Sequence, residues 1–240
     1  YGWIKSGTKN IFAFGSELKS LSSFEGFSNK ISKPALKEYF KYMYVPCPYS
    51  IYENIFKLEP GCLLTIDQKA TSKPSDIPLH SSSNLTITYE NLSIDRWYDL
   101  KNIIDQDSIT FSDEVEASDV LEAELKNVIS LQSISDVPLG AFLSGGVDSS
   151  AIVSLMQQES TQPVKTFTIG FEDPEYDESK HALKVASHLG TDHSELIVTS
   201  EDALSIIPDL PKIYDEPFAD SSQIPIVLLS RFAKPSVSVS

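Results

Sequence analysis

One short stretch limits the fold of this chain more than any other: an apolar run that ends in a glycine-containing turn and continues as a helix. The run 138–143, Pro-Leu-Gly-Ala-Phe-Leu, is long enough for one strand buried on both faces. Ser-Gly-Gly-Val-Asp-Ser follows at 144–149, and apolar residues then recur at helical spacing from Ala151 to Met156. The stretch therefore predicts a strand, a loop and a helix in direct succession.

The loop between this strand and this helix has the properties of an anion site. Backbone N–H groups at a helix N-terminus lack partners within the helix, and the helix dipole is positive there. Gly145 and Gly146 allow oxygen atoms to approach the backbone closely. The loop is neither a Walker A sequence nor a dinucleotide fingerprint, but Asp148 offers an oxygen ligand for the magnesium that accompanies a nucleotide. The sequence favours a phosphate site over an ordinary glycine turn.

The alternation of strand and helix continues beyond the loop. Strands are predicted at 164–169 and 194–198, and the helix between them is capped by Asp177 and ended by Gly190. A further helix is predicted from Ser200. This order predicts an α/β fold with a parallel sheet, right-handed crossovers and ligands at the carboxyl ends of the strands.

The region before the loop has a different character. Residues 1–67 are predicted to contain two strands joined by a glycine turn, an aromatic-rich helix over 34–45 and a further strand. Residues 68–111 are expected to be a linker with connecting strands, because loop-forming residues dominate 68–84. A long helix begins at Ser112, so the second domain is expected to span 112–240, as the beginning of a longer domain.

Composition narrows the class of partner. The net charge of −15 argues against non-specific attraction to nucleic acid or anionic membranes, so phosphate groups must be held locally. The apolar runs are too short for a membrane helix, and we expect no export signal. Two cysteines are too few for a disulfide scaffold, which fits a cytoplasmic protein.

Three motifs, in this order and at these distances, resemble those of glutamine-hydrolysing asparagine synthetases. They are Phe-Gly-Ser-Glu-Leu-Lys at 14–19, Lys-Leu-Glu-Pro-Gly at 57–61 and Ser-Gly-Gly-Val-Asp-Ser at 144–149. The first two resemble the tail of that family's glutaminase domain, an N-terminal nucleophile hydrolase of class II amidotransferases. The third resembles the pyrophosphate-binding loop that opens its synthetase domain and is shared with other ATP pyrophosphatases.

The resemblance implies a fold and an activity. The fold would be a parallel-sheet ATP pyrophosphatase domain, similar to the adenine nucleotide alpha hydrolases, preceded by the C-terminal part of an α+β glutaminase domain. The enzyme would be an ATP-dependent carbon–nitrogen ligase that adenylates the side-chain carboxylate of aspartate and amidates it with glutamine-derived ammonia, releasing AMP and pyrophosphate. ATP and Mg²⁺ would be its cofactors, and the full-length enzyme could form a homodimer. Alternatives are a β-lactam synthetase-like enzyme acting on another carboxylate, and a non-catalytic nucleotide-binding remnant.

The resemblance also assigns residues, without a certain catalytic residue among them. Asp148 would hold the metal. Asp215, Glu216, Asp220 and Ser221 would border the substrate pocket, although these carboxylates could equally be a helix cap and solvated charges. The residues implied to bind ATP and its pyrophosphate group are Leu143, Ser144, Gly145, Gly146, Val147, Asp148, Ser149 and Ile169.

Other reactive side chains have weaker signals. The family's glutaminase nucleophile is an N-terminal cysteine, whereas this chain starts with Tyr1, and its two cysteines lie in segments that do not match. We therefore expect the 240-residue chain alone to lack glutaminase activity, and to be inactive in synthesis because the resemblance places the family's second nucleotide loop after Ser240. His181, His188 and His193 lie close in sequence, but a polar helix surface is favoured over a zinc site because no third ligand has metal spacing.

Overall fold

The computed structural model describes residues 1–68, 74, 78, 87–89, 92–106, 109–173 and 177–240. The chain divides into two compact units, which we describe separately. The first consists of Tyr1–Ile109 and Asp209–Asp220, and the second of Thr110–Pro208 and Ser221–Ser240. In the part of the chain described, none of the helices combines the length and the apolar character needed to cross a membrane.

The described residues of the first unit form two antiparallel sheets and four short helices. Strands β1 and β2 form a hairpin, and β3, β5 and β4 form a sheet in that order. The strands are β1 (Gly2–Ser6), β2 (Lys9–Ala13), β3 (Cys62–Ile66), β4 (Ile87–Tyr89) and β5 (Leu92–Arg96). The helices are α1 (Leu18–Ser22), α2 (Lys33–Tyr42), α3 (Leu100–Gln106) and α8 (Leu210–Ile213).

Local sequence explains the beginning and end of the longest of these helices. Ser32 caps α2, because its hydroxyl accepts a hydrogen bond from the Ala35 amide at 3.3 Å, and Pro34 stands in the first turn. Met43 ends the helix in the left-handed conformation, with φ of 66°. The predicted helix 34–45 is therefore present, but it begins one residue earlier and ends before Met43.

The segment predicted as a linker with connecting strands contributes to the first unit's core. Strand β5 pairs along its whole length with β3, from Cys62–Arg96 to Ile66–Leu92. Leu92 and Ile94 alternate along β5 and pack with Tyr1 and Trp3. The strands in this part of 68–111 thus form a sheet with β3, while most of the loop predicted at 68–84 lies outside the described residues.

The second unit is built on the predicted parallel sheet. Strands β6 (Gly140–Phe142), β7 (Lys165–Phe171) and β8 (Asp192–Val198) pair in that order, all parallel. The helices of this unit are α4 (Glu114–Gln132), α5 (Val147–Glu159), α6 (Ser179–Leu189), α7 (Ser200–Ile206) and α9 (Gln223–Ala233). The family-based expectation of an α/β fold with a parallel sheet is confirmed.

Helices cover both faces of this sheet. On one face α5 and α6 pack on β6 through the buried cluster Ala141, Leu143, Val153, Ala182 and Ala186. On the other, α9 packs on β7. That cluster is formed by Phe167, Leu229, Ala233 and Val237. Because both faces are covered, β6 reads as an apolar run, and the threonines that alternate with apolar residues along β7, Thr166 and Thr168, are buried as well.

The direction of winding reverses at β6. Strands β7 and β8 are added successively on one side of β6, whereas Val239, after α9, makes a parallel bridge to Leu139. The Gly140 amide donates to the Val239 carbonyl at 2.9 Å. In open parallel sheets such a reversal leaves a crevice at the carboxyl ends of the strands, where ligands bind. The loop 144–149 follows β6 at this position.

One segment belongs to a different unit from the one its sequence position suggested. Residues 209–220 lie within the predicted second domain, 112–240, but they pack in the first unit. The Ala219 amide donates to the Met43 carbonyl at 2.9 Å, and the Ile51 amide donates to Glu216 Oε1 at 2.7 Å. We call residues 209–220 the return segment.

Candidate functional site

A cavity of about 970 Å³ opens at the carboxyl ends of the three parallel strands. One part of its wall is apolar and the other carries hydroxyl and carboxylate groups. Its lining residues come from the end of each strand, from the loop after β6 and from the starts of α6, α7 and α9. They include Phe142, Leu143, Ser144, Ser149, Thr168, Ile169, Phe171, Val198, Thr199, Ser221, Ser222 and Leu229.

Two serine hydroxyls hold the loop 144–149 in a closed turn. Ser144 Oγ and Ser149 Oγ lie 2.9 Å apart, and the Ser144 amide donates to Ser149 Oγ at 3.3 Å. The Gly146 amide donates to Ser144 Oγ, also at 3.3 Å. These contacts join the start of the loop to the first turn of α5, so the backbone between them is fixed in shape.

The remaining amides of the loop are available to a ligand. Among the described residues, no acceptor is hydrogen-bonded to the N–H groups of Gly145, Val147, Asp148 or Ser149. No side chain caps α5, whose N-cap is Gly146. Four donors at the positive end of a helix dipole form a site for an anion, and phosphate fits it.

Gly145 sets the path of this loop against α6. Its φ is 79°, a conformation that favours glycine, and a Cβ at this position would lie 2.6 Å from the Ala182 nitrogen. The His181 carbonyl carbon would be 2.8 Å away. Because these are backbone atoms, no side chain can move aside, and the loop can pass α6 only without a Cβ.

The structure brings some of the predicted nucleotide-binding residues together around the cavity. Leu143, Ser144, Ser149 and Ile169 line it. The adjoining loop and the first turn of α5 contain Gly145, Gly146, Val147 and Asp148. These four residues do not line the cavity, so it is their backbone amides that can contact a ligand. Val147 is 85% exposed. The roles of all these residues remain predictions.

Of the four residues predicted near the substrate, the structure brings only Ser221 to this cavity. Asp215, Glu216 and Asp220 belong to the return segment of the first unit. Asp215 pairs with Lys19 at 3.4 Å, and Glu216 pairs with Lys57. These ion pairs give Asp215 and Glu216 a structural part in the first unit, where both also line a cavity of about 620 Å³.

Sequence reasoning did not single out several polar residues of the larger cavity. Glu172 and Asp173 follow β7 directly, and Glu178 is the N-cap of α6. Thr199 caps α7 through a reciprocal pair of hydrogen bonds with Asp202. Ligands of parallel sheets bind at the carboxyl ends of the strands, and each of these residues follows a strand, so this rule could have identified them. The predicted strand 164–169 ends two residues before β7 does.

The histidines and cysteines have other surroundings. His193 Nδ1 lies 2.9 Å from Thr166 Oγ1 in the sheet, and burial lowers the pKa of His193. Burial, reinforced by Glu59, raises the pKa of the Cys47 thiol to about 11, so Cys47 remains a thiol at neutral pH. Within the described ranges, no three His, Cys, Asp or Glu side chains come together as a metal site.

Comparisons with known proteins agree with this geometry. The model of the asparagine synthase family matches residues 120–240, and that of a glutamine amidotransferase domain matches residues 3–76. The putative asparagine synthetase [glutamine-hydrolyzing] 2 of Methanocaldococcus jannaschii is 33% identical over 238 residues, which cover 96% of this chain and 40% of that protein. Asparagine synthetase [glutamine-hydrolyzing] 1 of Bacillus subtilis is 30% identical over 230 residues, 94% of this chain and 32% of that protein.

The chain thus spans at most 40% of the length of these two curated relatives. The asparagine synthase match contains the loop 144–149 and the parallel sheet, and the amidotransferase match contains strands β1 to β3. The asparagine synthase match, residues 120–240, covers half of the chain. The chain belongs to the asparagine synthase family.

Proposed function

We propose that the chain is part of an ATP-dependent, glutamine-hydrolysing asparagine synthetase and that its loop 144–149 holds the outer phosphates of ATP. One observation carries the proposal. Four unpaired amides surround the N-terminus of α5, beside a cavity at the carboxyl ends of a parallel sheet. Glutamine-derived ammonia and aspartate would be the small-molecule substrates, and the enzyme would work in the cytoplasm.

The chemistry explains why such a loop is needed. A carboxylate is a poor electrophile, so its conversion to an amide requires activation. When the substrate carboxylate attacks the α-phosphorus of ATP, pyrophosphate leaves and negative charge increases on its oxygens. Donors already fixed in position stabilise that charge without reorganising. The amides of the loop and the hydroxyls of Ser144 and Ser149 would do this here, because the two hydroxyls are held 2.9 Å apart.

The apolar wall of the cavity suits the adenine base. Phe142, Ile169 and Leu229 form this wall on the α9 face of the sheet. The Leu143 amide donates to the Phe167 carbonyl at 2.9 Å, so the Leu143 carbonyl and the backbone of Ile169 would make the hydrogen bonds to the base. Base and phosphates would then lie on opposite sides of the strand ends.

The residues around the loop fit Mg²⁺ that arrives with the nucleotide. Asp148 is in the first turn of α5 and is exposed, and the neighbouring polar groups are hydroxyls, so the donors are all oxygen. Mg²⁺ is commonly held by one or two carboxylates together with substrate phosphates. When bound, it would neutralise phosphate charge during departure of pyrophosphate. Asp148 would be its protein ligand.

Calorimetric titration of the 240-residue chain with ATP and excess Mg²⁺ tests the proposal. We expect one saturable site, and we expect Ser149→Ala to weaken it roughly tenfold or more, because both a phosphate donor and the loop closure are lost. Ser187→Ala is the matched control, since the Ser187 hydroxyl bonds only to Leu183 of its own helix. Absence of binding at millimolar MgATP, in a chain that melts cooperatively, would contradict the proposal.

A further inference from the structure

Two buried threonines on β7 differ in a way that points to a ligand. Thr166 and Thr168 are 0% and 2% exposed. The hydroxyl of Thr166 lies 2.9 Å from both Thr191 Oγ1 and His193 Nδ1. The hydroxyl of Thr168, in contrast, makes no hydrogen bond with any residue that the structure describes. Thr168 therefore carries a hydroxyl that has no described protein partner and that faces the cavity rather than being enclosed in the core.

A hydroxyl on a cavity wall that has no protein partner can form its hydrogen bond with water or with a ligand. Thr168 also lines the large cavity at the strand ends. Its position combines near-complete burial with access to a space that a ligand can enter. Thr166, two residues earlier, is not among the cavity-lining residues, and its hydrogen-bonding capacity is used within the protein.

The strand register places Thr168 on the phosphate side of the cavity. Phe142 of β6 is paired with Phe167 of β7, so Leu143 is level with Thr168. Phe167 packs towards α9, whereas Leu143 packs towards α5 and α6. Because successive side chains alternate, Thr168 shares the face of Leu143, which is the face covered by the helix that follows the loop. The next residue after Leu143 is Ser144, the first of the loop.

An anionic ligand in this cavity would depend on neutral hydrogen-bond donors. Among its described lining residues there is no lysine, arginine or histidine, while Glu172, Asp173 and Glu178 are acidic. Phosphate oxygens only accept hydrogen bonds, and a threonine hydroxyl can donate one. Hydrogen bonds to a charged acceptor are also stronger than those between neutral groups.

We propose that Thr168 is a further phosphate-binding residue, whose hydroxyl donates a hydrogen bond to an oxygen of the polyphosphate held by the loop 144–149. This inference rests on the proposed nucleotide function. It assigns to this side chain, in the middle of β7 and level with the residue that follows β6, a part in discriminating ligands that contain pyrophosphate from those that do not. Ile169, the neighbouring residue, contributes to the opposite, apolar side.

Three variants test the assignment: Thr168→Val, Thr168→Ser and the control Thr166→Val. Valine keeps the shape and removes the hydroxyl. We expect Thr168→Val to bind MgATP and magnesium pyrophosphate roughly tenfold more weakly, to bind MgAMP unchanged, and to melt no lower than the original chain. Thr168→Ser should restore binding. Thr166→Val should melt at a lower temperature, because Thr191 and His193 lose their partner, and should bind all three ligands as before.

The possible results separate this inference from the proposed function. Equal binding of MgATP by Thr168→Val and the original chain would overturn the inference and leave the nucleotide site standing. Weaker MgATP and MgAMP binding with unchanged pyrophosphate binding would move the contact to the sugar or base, and would also overturn it. If the original chain bound neither MgATP nor pyrophosphate, both the proposed function and the inference would fail.

Discussion

At the scale of single residues, the loop 144–149 depends on the absence of one side chain. Gly145 combines a φ of 79° with a backbone neighbour that would lie 2.6 Å from a Cβ. We expect Gly145→Ala to lower the free energy of unfolding by about 3 kcal/mol, since both left-handed strain and a clash are introduced. We expect it to abolish MgATP binding as well. Urea denaturation and calorimetric titration measure the two effects.

Gly190→Ala separates strain from the clash. Gly190 has nearly the same φ, 73°, but nothing lies within 4 Å of a Cβ built there. This variant should lose only about 1 kcal/mol, the cost of a left-handed alanine, and should bind MgATP normally. If the two variants were equally stable and bound MgATP equally well, the close approach to α6 would not determine the loop.

Residues of the site were predictable where their signal is local. The glycines, serines and Asp148 of 144–149 are recognised from a strand, a turn and a helix that follow one another in sequence. Thr168 and Glu172 had no such signal. Their place at the cavity depends on where β7 ends and which face each side chain takes, and both are set by pairing with β6 and β8.

At the scale of elements, the return segment holds the first unit together through carboxylates. Glu216 accepts a hydrogen bond from the Ile51 amide at 2.7 Å and pairs with Lys57, which also donates to the Val45 carbonyl at 2.6 Å. The Glu216 side chain is only 15% exposed. We expect Glu216→Ala to destabilise the first unit by roughly 1–3 kcal/mol, because the Ile51 amide loses a charged acceptor. Chemical denaturation measures this loss.

Glu53→Ala is the appropriate comparison for Glu216→Ala. Glu53 pairs with Lys30 at 2.8 Å, and the Lys30 side chain is 72% exposed. An exposed pair of this kind contributes at most about 1 kcal/mol. A loss no greater for Glu216→Ala than for Glu53→Ala would show that the return segment is held by other contacts.

Most elements were predictable from periodicity, but the return segment was not. Helices α5 and α6 have apolar spacing and local end signals, including Gly190 in the left-handed conformation. The ion pair between Lys19 and Asp215, in contrast, joins residues 196 positions apart, so no local sequence pattern predicts it. The partners of Asp215 and Glu216 in the first unit therefore could not be read from the sequence.

At the scale of the whole molecule, the pH dependence of stability has an identifiable source near neutrality. Burial lowers the pKa of His193 below its ordinary 6.5, although Glu195 acts in the opposite direction. The unfolded chain therefore binds a proton at His193 before the folded chain does as the pH falls. The free energy of unfolding should decrease from about pH 7 through 6.5 towards the folded-state pKa, and level off below it.

Urea denaturation between pH 5.5 and 7.5 measures this decrease, with His193→Asn as the comparison. Asparagine keeps a polar atom near Thr166 but does not titrate, so the variant should show a flatter dependence. Hydrogen bonds from Ser179 and Thr199 lower the pKa values of Asp177 and Asp202. Because the ordinary pKa of an aspartate is about 3.8, these two groups change the free energy of unfolding only at a more acidic pH than His193 does. An unchanged pH slope in the variant would exclude His193 as the source.

The architecture of the second unit was predictable from the alternation of strands and helices, and its parallel sheet and cavity position follow from that order. The division into units was only partly predictable. The chain passes from the first unit to the second at 109–110, returns at 208–209 and leaves again at 220–221. Sequence reasoning assumed one passage, because composition changes once, around 68–111, and the later passages carry no comparable change.

These passages affect how the protein can fold while it is being translated. Nascent chains usually complete an N-terminal domain before the next one emerges from the ribosome. Here the Ile51 amide donates to the carboxylate of Glu216, which lies 165 positions further along the chain. All of β6, β7 and β8 are synthesised before Glu216. The first unit therefore remains incomplete until the return segment has been synthesised, and the strands of the parallel sheet can pair before it closes.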